Sequence, residues 1–337
     1  METSLFDYTL PEEQIAQRSV EPRDQSRLMV LDRRTGAWHH QRFFQIVDEL
    51  KKGDVLVFND TKVFRARLKG TIMENGKALE IFLLRAREGT DWEVLLRPGR
   101  TASRGMRIEV APDLCGKIRE KVDDGTVIIT FDRSPQEVVA FANAHGDIPT
   151  PPYVKEQPAS LENYQTIYAR ETGSVAAPTV GFHFTSELME KLKHRGVQME
   201  FVTLHVGMGT FRPMKTETLE AHEMHSEFVS IDVATCSRIL QAKKEKRRVI
   251  AVGTTTARTL EGVSPLKPFV GEVNLFITPG FDFQVIDGLI TNFHLPKSTL
   301  LVLVSAFAGR EHVLAAYQEA IRQSYRFFSF GDAMFIR

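Results

Sequence analysis

The rhythm of apolar and polar positions changes along the chain. Short apolar runs at 28–31 and 55–58 predict strands, and between them the spacing of apolar residues over 43–50 suits a short helix stopped by Gly53. From Val63 to about Asp147 the texture becomes short β-branched and leucine-rich runs broken by turn residues. Asn75-Gly76 separates runs at 68–73 and 78–84, and Asp124-Gly125 separates runs at 117–122 and 126–131, so each predicts a hairpin with a tight primed turn. Past the prolines at 149–152, helical spacing returns at 187–193, 233–246, 298–308 and 311–323, with strand-like segments at 197–204 and 248–252 between them.

This order predicts an α/β fold, a large mixed α/β domain with an inserted small antiparallel β-barrel domain. The α/β part takes residues 1–62 and 150–337 and the barrel takes 63–149. Three consecutive domains would leave the first about 60 residues with a marginal core, whereas insertion at a surface turn is physically easy. The length of 337 residues, 42% of them hydrophobic, suffices for one large core and a smaller one. The apolar run 300–307 is far shorter than the roughly 20 residues of a membrane span, so it predicts a buried helix and no membrane partner.

Lys and Arg number 43 and Asp and Glu number 43, so any nucleic-acid surface must be a local patch rather than a net field. Six arginines between Arg85 and Arg107 against three acids supply one such excess, with Arg97, Arg100 and Arg104 as candidate phosphate contacts. Two cysteines, Cys115 and Cys236, make no disulfide framework, and the absence of an apolar leader at Met1 suggests a reduced, cytoplasmic protein.

A complete Walker A string and a GxGxxG fingerprint are both missing, which disfavours a kinase or a Rossmann dehydrogenase. Polar strings instead follow strand-like segments, where α/β cores present ligands. Asp60 and Lys62, after the strand at 55–58, suit ribose hydroxyls or a phosphate, or else an ordinary turn. Gly253, Thr254, Thr255 and Arg258 open a helix and could cap it or hold an anion. His205, Gly207, Gly209 and Thr210 lie in a glycine-rich stretch that lets backbone approach a flat ligand, or merely flexes.

His222 and His225 are three apart rather than the four of a helical zinc motif, so no metal is expected. Proton transfer by His225 or Glu227 is the better functional reading, with a solvated polar helix start as the plain one. Asn292 and His294 sit between apolar segments and need partners that a ligand could supply. Tyr325 and Arg326, in an aromatic-rich tail, suit base stacking and phosphate contact as well as ordinary core packing.

Taken in order, these strings resemble the S-adenosylmethionine:tRNA ribosyltransferase-isomerase family of queuosine biosynthesis. The resemblance runs from GDVLVFNDTKV through PPY at 151–153, YQTIYA and GSVAAPTVGFHFT to TLHVGMGTFRP, HEMHSE, VGTTTARTLE, LITNFHLPKSTLLVLVSAFAG and YRFFSFGDAM. Departures are mild: Ser19 stands where the family tends to carry Pro, and Val180 and Phe182 replace the commoner Ala and Leu. The resemblance implies an enzyme moving the ribosyl part of S-adenosylmethionine, a cosubstrate rather than a permanently bound cofactor, onto 7-aminomethyl-7-deazaguanine in a tRNA anticodon.

For that chemistry the candidate catalytic residues are His205, His225 and Glu227 for proton removal beside the sulfonium, and Asp60 and His294 for protonating departing adenine. Lys62, Gly207, Gly209, Thr210, Gly253, Thr254, Thr255, Arg258 and Asn292 are the candidate cosubstrate contacts. The RNA contacts expected are Arg97, Arg100, Arg104, Tyr325 and Arg326, on a chain for which a monomer is a compatible state. A non-catalytic tRNA-binding module and an RNA methyltransferase are the alternatives.

Overall fold

The computed structural model describes residues 1–122, 125–207 and 213–337. The first strands are β1 (Arg27–Leu31), β2 (Trp38–Arg42), β3 (Val55–Asn59) and β4 (Thr61–Val63). Next come β5 (Arg67–Ile72), β6 (Ala78–Ala86), β7 (Asp91–Arg97), β8 (Arg107–Ala111), β9 (Leu114–Lys121) and β10 (Val127–Phe131). The later strands are β11 (Glu171–Ser174), β12 (Gln198–Leu204), β13 (Glu227–Ile231), β14 (Val249–Val252), β15 (Phe269–Val273), β16 (Gly288–Asn292) and β17 (Ala333–Ile336). The helices are α1 (Ile46–Glu49), α2 (Pro135–His145), α3 (Ser186–His194), α4 (Val233–Lys244), α5 (Thr254–Gly262), α6 (Thr299–Ala308) and α7 (Arg310–Arg322).

A nine-stranded mixed sheet in the order β15-β13-β12-β3-β14-β16-β17-β1-β2 forms the larger part, and β5 to β10 close a barrel. The expected combination of mixed α/β core and antiparallel barrel is therefore present. Strand β3 is buried at every position because helices cover both sheet faces. Val55 and Val57 pack with α4 to α7 residues such as Ile239, Leu260, Val302 and Val313, while Leu56 and Phe58 face Ile46 of α1 and Leu188 and Leu192 of α3. The apolar run beginning at Leu300 lies in α6, nearly all of whose residues are buried. No single helix among the described residues is long and apolar enough to cross a membrane.

The chain enters and leaves the barrel side by side, with Arg67 and Asp147 exchanging backbone hydrogen bonds. The first expected hairpin is present as β5 and β6, but its turn differs. Ile72 N–H bonds to Lys77 O at 2.9 Å around Met73, Glu74, Asn75 and Gly76, and only Gly76 takes positive φ, +68°. A two-residue primed turn of type I′ would need positive φ at both central residues. β9 and β10 pair as the second expected hairpin, although Asp124 of its turn lies outside the described residues.

Helix α2 was absent from the sequence expectation, yet its signal is local. Ser134 caps Glu137 N–H while Glu137 bonds back to Ser134 N–H at 2.9 Å, and Pro135 opens the first turn. Val138 and Ala142 then plug the barrel core. The helical start considered for the His222 to Glu227 stretch does not form: it is irregular until Glu227 begins β13.

Candidate functional site

The parallel strands β12, β3, β14 and β16 run side by side, so the polar strings after their carboxyl ends gather on one edge of the sheet. Two neighbouring cavities open there, and Val206 lines both. The larger is a cleft of about 840 Å³ between barrel and sheet. Its barrel wall includes Phe64, Leu84, Arg85, Trp92 and Leu95 with Val139 and Asn143 of α2, and its sheet wall includes Gly173, His205, Gly207, His225, Glu227 and Phe228. Arg85 closes one side through an ion pair with Glu272 at 2.7 Å and a second with Glu93.

His205 is held on three sides. Its Nδ1 lies 2.8 Å from Thr61 Oγ1, its ring stacks on Phe228 at 5.2 Å, and a Cβ on Gly173 would meet its Nε2 at 2.5 Å. Gly173 is therefore required for close approach. Burial depresses the His205 pKa to about 4, against a smaller opposing effect of Asp60, so the ring is neutral near pH 7. With the Thr61 hydroxyl donating to Glu171 O at 3.5 Å, Nδ1–H donates to Thr61 and Nε2 keeps its lone pair. His225 stands exposed on the same cleft wall.

Glu227 is 5% exposed and faces Arg258, itself 2% exposed, at 2.5 Å. The other Glu227 oxygen accepts Gly207 N–H at 3.2 Å, so this ion pair anchors the start of the glycine-rich stretch. Arg258 Nε and Nη2 have no partner among the described residues.

The smaller cavity, about 60 Å³, takes Gly253, Thr254, Thr255, Thr291, Asn292 and His294 from the ends of β14 and β16, with Tyr153, Thr179 and Phe328. Asn292 is fixed by Thr179 Oγ1 at 3.1 Å and by His183 Nε2 at 3.2 Å.

Other candidates are placed elsewhere. Asp60 is engaged by Arg170 at 2.7 Å and Thr203 Oγ1 at 2.7 Å, one on each carboxylate oxygen, and lines neither cavity. Lys62 is exposed on β4 and also outside both linings. Arg258 lies behind the cleft rather than in it. Tyr325 is a core residue, 1% exposed against Phe293, with Arg27 over its ring, so it cannot stack on a base without repacking. Arg326 is paired to Asp332. Gly209 and Thr210 lie outside the described residues. Arg97, Arg100 and Arg104 are exposed on the barrel. Among the described residues no group of three or more His, Cys, Asp or Glu is placed to hold a metal ion. The barrel wall, Phe64 and Trp92 above all, escaped sequence reasoning because an aromatic in a strand pattern reads as core.

The model of the queuosine biosynthesis protein family matches residues 3–336. The chain belongs to that family. Its similar curated relatives include the S-adenosylmethionine:tRNA ribosyltransferase-isomerases of Heliobacterium modesticaldum, 51% identical with each chain fully covered, and of Carboxydothermus hydrogenoformans, 52% identical over 98% of each. The crystal structure of S-adenosylmethionine tRNA ribosyltransferase from Thermotoga maritima matches with a TM-score of 0.58 at 39% identity, covering 99% of this chain and 100% of that one. The family resemblance read from the ordered strings therefore holds over the whole chain.

Proposed function

We propose that this protein transfers and isomerises the ribosyl moiety of S-adenosylmethionine onto 7-aminomethyl-7-deazaguanine at the tRNA wobble position. The products are epoxyqueuosine in the RNA, free adenine and free methionine, and the reaction belongs in the cytoplasm with its tRNA. The observation that carries this reading is the full-length likeness, at 51% and 52% identity, to relatives named for ribosyl transfer and isomerisation on tRNA. The cleft suits the task, since a volume of about 840 Å³ exceeds what a nucleoside alone requires. The anticodon base is single-stranded, so it can enter without opening a duplex.

In this reading residues 63–149 act as an inserted domain whose barrel forms one wall of the site, and residues 1–62 and 150–337 form the other. His225, accessible on the cleft wall, is the candidate acceptor of the C5′ proton made acidic by the adjacent sulfonium. His205 offers a neutral lone pair across from the aromatic barrel wall. Glu227 orders Gly207 while paired with Arg258.

Incubation of the purified chain with S-adenosylmethionine and a tRNA bearing the aminomethyl base should yield adenine and methionine in equal amounts, with the RNA gaining the rearranged sugar. Formation of S-adenosylhomocysteine and methylated RNA instead would identify a methyltransferase, and RNA binding without turnover a binding module. A His225→Ala variant should lose about 100- to 10,000-fold in kcat with tRNA affinity retained. Charge reversal of Arg97, Arg100 and Arg104 should do the opposite. It should weaken tRNA binding and flatten the dependence of log K on log salt by about 0.7 to 0.9 for each phosphate no longer neutralised, and an unchanged slope would remove the barrel arginines from the interface.

A further inference from the structure

The smaller pocket has a chemistry distinct from the cleft beside it. It lies at the first turn of α5, where Gly253 takes φ +98° and, among the described residues, no side-chain cap accepts from the helix N–H groups. Those groups are donors waiting for an acceptor, on the end of the helix that favours negative charge. An independent feature is His294, 8% exposed and part of the same lining. Its backbone is tied at N–H to the Tyr317 hydroxyl at 3.0 Å and at its carbonyl to the Tyr8 hydroxyl, and its Nε2 sits 2.7 Å from Thr291 Oγ1. Nδ1 has no partner among the described residues. With the Thr291 hydroxyl donating to Nε2, Nδ1 carries the proton and donates. Burial lowers the His294 pKa to about 3, so the ring remains a neutral donor.

Size and charge narrow the occupant. About 60 Å³ does not admit a nucleoside, whereas the neighbouring cleft does, and the two adjoin at Val206, which lines both. Among the described residues the lining carries no Asp, Glu, Lys or Arg. A phosphate with its net negative charge would call for a cation, while a carboxylate beside its own ammonium group is neutral overall and needs only dipoles and hydrogen bonds. Val180, Leu300 and Phe328 supply apolar wall for a short aliphatic thioether chain.

We propose that this pocket is the subsite for the zwitterionic amino-acid end of the sulfonium cosubstrate, its carboxylate held by the first turn of α5 and by His294 Nδ1. The inference rests on the S-adenosylmethionine reading above and adds the division of the ligand between two compartments. It makes His294 a carboxylate donor rather than the acid that protonates adenine.

Calorimetric titration of the full-length protein tests it with S-adenosylmethionine, its decarboxylated analogue, methylthioadenosine and adenine. The wild type should prefer S-adenosylmethionine over the decarboxylated analogue by roughly 10- to 100-fold, the range of a hydrogen bond to a charged group. His294→Gln, whose amide replaces Nε2 and not Nδ1, should abolish that preference, whereas His294→Asn, which keeps a donor near Nδ1, should retain most of it. Leu300→Phe, a substitution at a half-buried position, should fill the pocket, weakening S-adenosylmethionine while leaving methylthioadenosine unaffected, and gives a reading even where His294 variants fold poorly. Equal binding of the carboxylated and decarboxylated compounds overturns the inference alone, as does adenine binding that depends on His294. Failure of every adenosyl compound to bind overturns the functional reading and this inference together.

Discussion

Replacement of Arg258 by methionine should lower the unfolding free energy by about 3 to 5 kcal/mol, the cost of breaking a buried ion pair from one side. Arg258 and Glu227 are 2% and 5% exposed, with 2.5 Å between Nη1 and Oε2. Removing the guanidinium leaves a carboxylate that is only 5% exposed without its cation, and that desolvation, rather than the missing attraction, dominates. Arg258→Met combined with Glu227→Leu should therefore recover much of the loss, because the buried carboxylate is removed together with its cation. Turnover should not recover in the double variant, since Gly207 N–H loses its acceptor and the adjoining cleft wall loses its anchor. Chemical denaturation of the two single variants, the double variant and the wild type measures the coupling directly. A single-variant cost below about 1 kcal/mol would show that the pair is not dry in solution.

Acid should destabilise the fold well before ordinary carboxylates begin to protonate. Burial lowers the pKa from 6.5 to about 4 for His183 and His205 and to about 3 for His294. His183 is locked between Ser26 Oγ at 2.7 Å and Asn292 Nδ2 at 3.2 Å and stacks on Phe43 at 4.8 Å. All three rings are kept neutral when folded, so between pH 6.5 and the folded values the unfolded chain binds the extra protons. Stability is complete above about pH 6.5 and falls as the pH drops, by up to about 1.4 kcal/mol per pH unit for each histidine. For the two most deeply buried rings, His183 and His294, the loss at pH 5 is on the order of 4 kcal/mol. Unfolding calorimetry near pH 5 in two buffers of different ionisation enthalpy should register uptake of two to three protons, on the order of one per histidine. Uptake of less than one proton, or equal stability at pH 7 and pH 5, would mean that these rings are hydrated in the folded state.

Much of the architecture is local and was readable along the chain. The run at 55–58 is buried on both faces as β3, the helical spacing at 298–308 becomes α6 with Ser298 as its N-cap, and alternating runs flanking Asn75-Gly76 pair as β5 and β6. These outcomes depend on hydrophobic periodicity and on caps and turns spanning a few residues. Even the missed helix α2 carried its capping box within four residues, from Ser134 to Glu137. The placement of candidate motifs after strands 55–58 and 248–252 was equally legible, because parallel strands direct their carboxyl ends to one edge.

Side-chain roles required the tertiary fold. Asp60 looks free for a ligand in sequence, yet Arg170, 110 residues away, and Thr203, 143 residues away, occupy both its oxygens. Arg258 looks like a carboxylate grip, but Glu227 reaches it first and both are withdrawn from water. Tyr325 resembles a base-stacking platform until Phe293 and Arg27 enclose it, and the Phe64 and Trp92 wall faces the histidines only because the barrel lies against the sheet edge. Periodicity and capping are set by neighbours in sequence. The choice among ion partner, core ring and ligand contact depends instead on which groups from distant segments meet in a medium where an unpaired charge is costly.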